Sequence, residues 1–329
     1  MMTPKTVTSG QWLVTGVASR AHLVARYMSR ATRSAFSMVE LLVAMTLLSL
    51  IVLVLMAVFS TTQQAFRASV TQTDVLEGGR SAMEMIAADL RDMVPCYGVS
   101  NWATAGNSYY YGGVNFAATN NIPGATNYGP LEQALQAASN GSRRTNLLEN
   151  FFILGRVNTK WTGTGYAVDS SSLNPLYPLY RFYEETNIDA DPIVLYWNFV
   201  NTIYYSQWTN MSHVMDGVAH LVVRAYDNNG YWLTNGHAYQ QNPPYRQKPP
   251  ENVWFSPPEW GEVGFTFYSN AVPAAVELQL GVLEDRTMQR AESLGTYLGE
   301  SNYLSGQAGH VQLFRQRVII PSLDSTAYQ

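Results

Sequence analysis

Cysteine is almost absent. The single Cys96 among 329 residues excludes an intramolecular disulfide and argues against a Cys-rich zinc or iron–sulfur site. Charge is scarce as well: 13% of the residues are Asp, Glu, Lys or Arg, against roughly 25% in an average globular protein. With a net charge of -4 and no Lys/Arg stripe beyond residue 35, the chain does not read as a nucleic-acid module. There is no His-Glu-x-x-His metalloprotease signature, no Gly-x-Ser-x-Gly nucleophile elbow and no phosphate loop ending in Gly-Lys-Ser/Thr. His213, His220 and His237 lack a neighbouring acidic pair, and Asp227-Asn228-Asn229-Gly230 offers only part of the six to eight oxygens that calcium requires. No catalytic residue, metal ligand or cofactor is therefore assigned, and the chain is read as a non-enzyme. What remains is a chain 47% hydrophobic, which excludes bulk disorder, of a length suited to one large domain or two modest ones.

Acids are missing altogether from residues 1–35, which carry Lys5, Arg20, Arg26, Arg30 and Arg33. Phe36-Ser37-Met38-Val39-Glu40 follows, and then an apolar run from Leu41 to Phe59 broken only by Thr46 and Ser49. As a helix these 19 residues span about 29 Å, against a hydrocarbon core of roughly 30 Å. A cleaved secretory signal has an apolar stretch of only about 7–15 residues, so the run reads as a retained anchor. Basic residues before it and few after it place the N-terminus in the cytoplasm and the bulk of the chain outside the cytoplasmic (inner) membrane, in the periplasm or beyond. Glu40 stands out, because an ionisable side chain carried to the bilayer centre costs about 2.5–3.5 kcal/mol. It needs either a shallow depth, at a helix N-terminus that favours anions, or a partner.

A basic leader ending in a small residue, then Phe36, Ser37, two apolar residues, Glu40 and a long apolar helix resembles the cleavage and methylation segment of type IV pilins and pseudopilins. The resemblance implies that a prepilin peptidase/methyltransferase cuts between Ala35 and Phe36 and methylates the new amino group of Phe36. Glu40 becomes the fifth residue of the mature chain, and its carboxylate forms an assembly salt bridge with the N-terminal ammonium of a neighbouring subunit. Family members usually carry Gly before the cut where this chain has Ala35, and the leader is long for the family. Removing 35 residues and five positive charges leaves 15 basic and 24 acidic side chains, a net charge of -9.

Beyond Phe59 there is no proline until Pro95, and Met83, Ile86, Ala87, Leu90 and Val94 keep helical spacing. The anchor helix is therefore expected to continue outward through Met93, to be kinked or looped at Gly78-Gly79, and to stop at Pro95. Residues 97–150 are rich in Asn, Gly, Ala, Ser and Tyr and read as an irregular insertion with one short helix at 131–138. Strands are expected at Phe151–Val157, Leu179–Glu184, Ile193–Val200, Val218–Tyr226, Phe265–Tyr268, Val276–Leu283 and Gln312–Ile320. The alternation Val276-Glu-Leu278-Gln-Leu280-Gly-Val282 predicts a strand with one buried face, Asp227–Gly230 a hairpin turn and Gly163-Thr-Gly165 an ordinary turn. Pro-Pro pairs at 243–244, 249–250 and 257–258 mark a second insertion near 240–260, and a helix–loop segment runs from Arg286 to about Tyr303.

The expected organisation is a leader over 1–35, a transmembrane helix over 36–59, an amphipathic spine over 60–94 and a β-rich extracytoplasmic domain over 95–329. The fold class is α+β, a long N-terminal helix packed on an antiparallel sheet. The segments beginning Val214-Met-Asp-Gly and Val272-Pro-Ala-Ala, with Asp89-Leu90-Arg91 on the spine, resemble the large J-type minor pseudopilin of type II secretion. The ending Val311-Gln-Leu-Phe-Arg-Gln-Arg-Val-Ile-Ile-Pro is also similar to the pilin-like Verru_Chthon cassette protein C family. These resemblances imply a filament subunit of a type II secretion or type IV pilus-like machine. Its partners would be other pilin-like subunits, the peptidase, the membrane and an inner-membrane assembly platform. The competing reading is a membrane-anchored extracytoplasmic domain with binding or enzymatic activity, in which Phe36 and Glu40 are coincidental.

Overall fold

The computed structural model describes residues 37–96, 113–119, 131–134, 143–170, 177–233, 252–256 and 262–328. The chain divides into two compact units, one ending at Gln63 and one beginning at Gln64. Ala35 and Phe36 lie outside the described residues, as do His237 and all three Pro-Pro pairs.

The described part of the first unit is helix, the start of α1 (Met38–Arg91). Every side chain from Ser37 to Gln63 is exposed, Leu53 and Met56 among the most exposed at 70% and 71%. An apolar helix exposed all round is not stable in water by propensity alone and is suited to lipid or to other helices. It is the one helix among the described residues long and apolar enough to cross a membrane.

The second unit is α+β. Its principal sheet has seven strands, all antiparallel, in the order β7-β6-β5-β4-β1-β10-β9. These are β1 (Val114–Thr119), β4 (Asn150–Val157), β5 (Lys160–Val168), β6 (Leu179–Asn187), β7 (Ser212–Met215), β9 (Val253–Phe255) and β10 (Phe265–Tyr268). A second antiparallel sheet is ordered β12-β11-β8, from β8 (Val218–Tyr226), β11 (Ala275–Leu283) and β12 (Val311–Ile319). A small ladder joins β2 (Leu131–Ala134) to β3 (Arg143–Asn146).

Consecutive residues of a strand face opposite sides, and β4 shows both faces of the large sheet covered. Phe151 and Ile153 enter a core with Ile86, Leu90 and Met93 of the helix end and with Leu221, Leu278 and Leu280 of the small sheet. Phe152 and Leu154 enter another core with Leu195, Phe199 and Ile203 of α2 (Ile193–Tyr204). A third cluster joins Ala291 of α3 (Asp285–Glu292) and Leu304 of α4 (Tyr297–Ser305) to Ala219, Leu283 and Val311. Burying side chains of the size of Ile86 or Leu90 contributes about 1.5–3 kcal/mol each.

Several expectations are corrected. The helix is not broken at Gly78-Gly79: Gly79 lies under the Phe314 ring, where a Cβ would approach Cε2 to 2.3 Å, so the glycine serves close packing. The helix ends at Arg91 rather than Met93, and Met93 instead bridges to Gly155. Ile193–Val200 is helix, not strand, because Leu195, Phe199, Thr202 and Ile203 bury one helical stripe against β5 and β6. Leu131–Ala134 is strand, not the start of a helix, and β1 sits inside the large sheet where an irregular insertion was expected. Gly163-Thr-Gly165 is not a turn but the middle of β5. A Cβ at Gly163 would meet Leu195 at 2.8 Å and one at Gly165 would meet Phe199 at 2.4 Å, so these glycines let α2 press onto the sheet. β11 is buried on both faces, not one, and part of the 240–260 insertion is the edge strand β9.

Candidate functional site

Glu40 lies in the first turn of α1 and is exposed. Its Oε2 accepts from the Ser37 N–H at 2.9 Å, while the Glu40 N–H donates to Ser37 Oγ at 3.2 Å. This reciprocal pair is a capping box, Ser-x-x-Glu, satisfying two donors that a helix start leaves without intrahelical partners. Sequence reasoning placed the carboxylate at the helix N-terminus but missed the Ser37 spacing that announces the box.

The end of the same helix is tied into the sheet. Val75, Ala82, Met83, Ile86, Ala87 and Leu90 are buried. Asp89, on the same turns, receives two hydrogen bonds from Arg181 of β6, Nε to Oδ2 at 2.8 Å and Nη2 to Oδ1 at 3.0 Å. Tyr166 of β5 also donates its hydroxyl to Asp89. Burial and the neighbouring carboxylate push the Tyr166 hydroxyl well above its usual range, so it stays a donor. The Asp89 bond holds the Arg181 guanidinium firmly charged. Past the helix, the Met93 carbonyl accepts from Ser322 Oγ at 2.5 Å, and Cys96 N donates to Asn115 Oδ1 at 2.9 Å. Only the Asp89-Leu90-Arg91 string signalled this anchor in the sequence.

On the small sheet the charges are knitted together. Arg224 of β8 pairs with Glu262 and Glu277, Arg315 of β12 donates to Glu277 at 2.8 Å, and Tyr226 donates to Glu277 at 3.1 Å. The free side of β8 is sealed by residues 147–149. Leu221 N donates to the Leu147 carbonyl, Glu149 N to the Leu221 carbonyl, and Val223 N to Glu149 Oε2. Burial raises the Glu149 carboxyl to about 8. Beside it His220 accepts from Leu147 N through Nδ1, and burial, with help from Arg144, lowers it to about 4, so it is neutral at pH 7.

Two further groups singled out in the sequence have local partners. Asp227 Oδ1 is occupied by the N–H groups of Asn229 and Tyr231, closing the expected turn with Gly230 at φ +83°. His213 pairs with Asp216 at 2.9 Å, and among the described residues no group of three or more His, Cys, Asp or Glu is arranged to hold a metal. A cleft of about 410 Å³ is rimmed by Asp74, Asp216, Asp285 and Glu292 over Met215 and Met288. Burial, Asp74 and Asp216 together raise Asp285 above the usual carboxyl range.

Comparison of the chain with protein-family models, with curated proteins and with solved structures gives no match in any of the three.

Proposed function

We propose that this chain is a minor pilin or pseudopilin subunit, anchored in the cytoplasmic membrane through residues 36–59 and entering a type II secretion or type IV pilus-like filament through α1. The observation that carries this reading is the unequal treatment of one helix. One stripe from Val75 to Leu90 is spent on the core of its own domain, whereas the apolar run Leu41 to Phe59 is exposed throughout. Lipid covers such a segment before assembly, and the helices of neighbouring subunits cover it afterwards. The membrane orientation follows from the basic residues 1–35, which stay in the cytoplasm.

In this mechanism prepilin peptidase removes residues 1–35 and methylates Phe36. The ammonium so created is a charge that a filament core tolerates only when paired. Glu40 of an adjoining subunit supplies the counter-charge, and the assembly platform delivers the subunit. The domain from Val75 onward acts by presenting its surface; no reaction is assigned to it. The deciding experiment is the mass and N-terminal residue of the membrane-extracted chain. A product beginning at N-methylated Phe36 is expected; an intact leader, or cleavage beyond Phe59, overturns the reading.

One observation favours the alternative of a membrane-anchored extracytoplasmic domain outside any filament. The capping box employs Glu40 locally, so its presence has an explanation within a single chain. The two readings separate on substitution of Glu40, as argued below.

A further inference from the structure

Sheet edges expose unpaired N–H and C=O groups, and proteins keep them short, charged or covered. Three of the four outer edges of the two larger sheets are short or covered. β7 has four residues and β9 three, and the edge of β8 is sealed by residues 147–149 and the Glu149 carboxylate. The fourth, β12, is neither short nor, among the described residues, covered, and only the charges of Arg315 and Arg317 guard it. It runs nine residues, Val311–Ile319, in unbroken register with β11 and without proline or bulge.

The hydrogen-bond parity tells which groups face out. Leu221 and Val223 of β8 point away from β11, so even-numbered β8 residues face it; in register, odd-numbered β11 residues face β8 and even-numbered ones face β12. The Glu284 N–H to His310 carbonyl bond continues that even series. β12 therefore pairs through Gln312, Phe314, Gln316 and Val318, and the N–H and C=O groups of Leu313, Arg315 and Arg317 point to the open side. Along this edge lies a groove of about 240 Å³ between β12 and the helix. Phe314 and Met83 are apolar there, with Arg80, Glu84, Arg315 and Gln316 around them.

We infer that β12 is a docking edge, and that its occupant is an extended strand from another polypeptide, alternating acidic with apolar side chains. A strand between a sheet edge and a helix is a recurrent mode of peptide recognition, in which main-chain bonds give affinity and alternate side chains give specificity. The acidic preference follows from charge on the open side of β12: Arg317 has no carboxylate partner among the described residues and Arg315 shares Glu277 with Arg224, while Arg80 and Glu84 offset one another in the groove. The apolar set fits the opposite side, towards Phe314 and Met83. A second copy pairing β12 with β12 brings arginines opposite arginines, which disfavours it. The inference does not depend on the filament reading.

The test uses the full-length chain in detergent micelles and a nine-residue peptide alternating Glu with Val. Amide hydrogen exchange is followed, with binding read by fluorescence anisotropy. In the free chain the amides of Leu313, Arg315 and Arg317 are expected to exchange faster than those of Phe314 and Gln316; the peptide then slows them by about tenfold or more. A peptide N-methylated at alternate residues, and one with Lys in place of Glu, are expected not to bind. Leu313→Pro removes an outward N–H while sparing the ladder to β11, and abolishes binding. Should that variant misfold, the N-methylated peptide decides alone. Equal binding of the N-methylated or Lys peptide, no binding of the Glu peptide, or full protection of the three amides in the free chain overturns the inference. The last outcome means a segment of this chain or a second copy already covers the edge.

Discussion

Gly79 of α1 and Phe314 of β12 are in such close contact that a single Cβ on the glycine would fall 2.3 Å from the ring. Its neighbour Gly78 is different: the nearest atom to a Cβ there is Met215 Cε at 4.0 Å, ordinary contact.

The two adjacent glycines should therefore answer the same substitution with opposite signs. Gly78→Ala removes a helix-interior glycine without a clash and should stabilise by up to about 1 kcal/mol. Gly79→Ala gains the same propensity but displaces the Phe314 ring, for a net loss of about 1–2 kcal/mol. Urea unfolding of a fragment beginning near Gln64 measures both. The loss should shrink when Phe314→Leu is added; if it does not, the ring is not the cause.

A second prediction concerns the tie between helix and sheet. Asp89→Ala leaves Arg181 without its carboxylate and Tyr166 without its acceptor. The expected loss is about 2–3 kcal/mol, less than the 3–5 of a fully buried pair because Arg181 keeps 25% of its side-chain exposure and Asp89 16%. Tyr166→Phe removes one hydrogen bond and no charge, and should cost less. Equal losses, measured by denaturant unfolding at pH 7, would show that the Tyr166 hydroxyl bond rather than the Arg181 charge carries the contact.

The pH profile of stability follows from Glu149 and His220. The Glu149 pKa is raised on folding from 4.5 to about 8, so the folded state binds the extra proton and stability falls as pH rises from about 4.5 to 8. His220 is lowered from 6.5 to about 4, so its contribution is present above 6.5 and is lost as pH falls towards 4. Between about 4.5 and 6.5 the slopes oppose, leaving a plateau with losses on both sides. Glu149→Gln keeps an acceptor for Val223 N and should remove the alkaline loss, a few kcal/mol by pH 8. Thermal unfolding across pH 4–8 reads both limbs, and an unchanged alkaline limb in the variant would reject the assignment.

Where one face of an element meets one surface, its pattern was legible before the fold was known. Met83, Ile86, Ala87 and Leu90 keep a helical period because a single stripe enters the core. The strands Phe151–Val157 and Val218–Tyr226 were legible for a different reason: buried on both faces, they are continuous runs rich in β-branched, aromatic and aliphatic residues. Ile193–Val200 misled because its composition is that of a strand; the deciding feature was the i, i+4, i+8 set Leu195, Phe199, Ile203, visible only when the window is extended past Val200. Gly163 and Gly165 misled because close approach to Leu195 and Phe199 is a tertiary fact with no local signature. β1 escaped because Val114-Asn-Phe-Ala-Ala-Thr119 is buried on both faces and so does not alternate. Of the candidate site, Glu40 and the charge asymmetry were legible, while the partners of Asp89 come from strands 77 and 92 residues away.

The last prediction separates assembly from capping at Glu40. In the free chain the side chain accepts from Ser37 N, a role that glutamine fills nearly as well, since a capping box accepts Glu or Gln at this position. In a filament the same side chain must neutralise a neighbour's ammonium, which glutamine cannot do. If capping is the whole role, Glu40→Gln behaves as wild type, and only Glu40→Ala frays the helix start, by about 0.5–2 kcal/mol. If assembly charge is the role, Gln and Ala fail alike: the neighbour's buried ammonium is left unpaired, a loss of about 3–5 kcal/mol when the pair is fully desolvated. Neither substitution should alter the fold of the second unit, because Glu40 lies in the unit that ends at Gln63 while the β-sheet core begins at Val75. Crosslinking between subunits in membranes, compared across wild type and both variants, measures the difference. Reduced crosslinking in both, with unchanged leader cleavage, is the expected result; wild-type crosslinking by the Gln variant would assign Glu40 to the capping box and favour the anchored-domain reading.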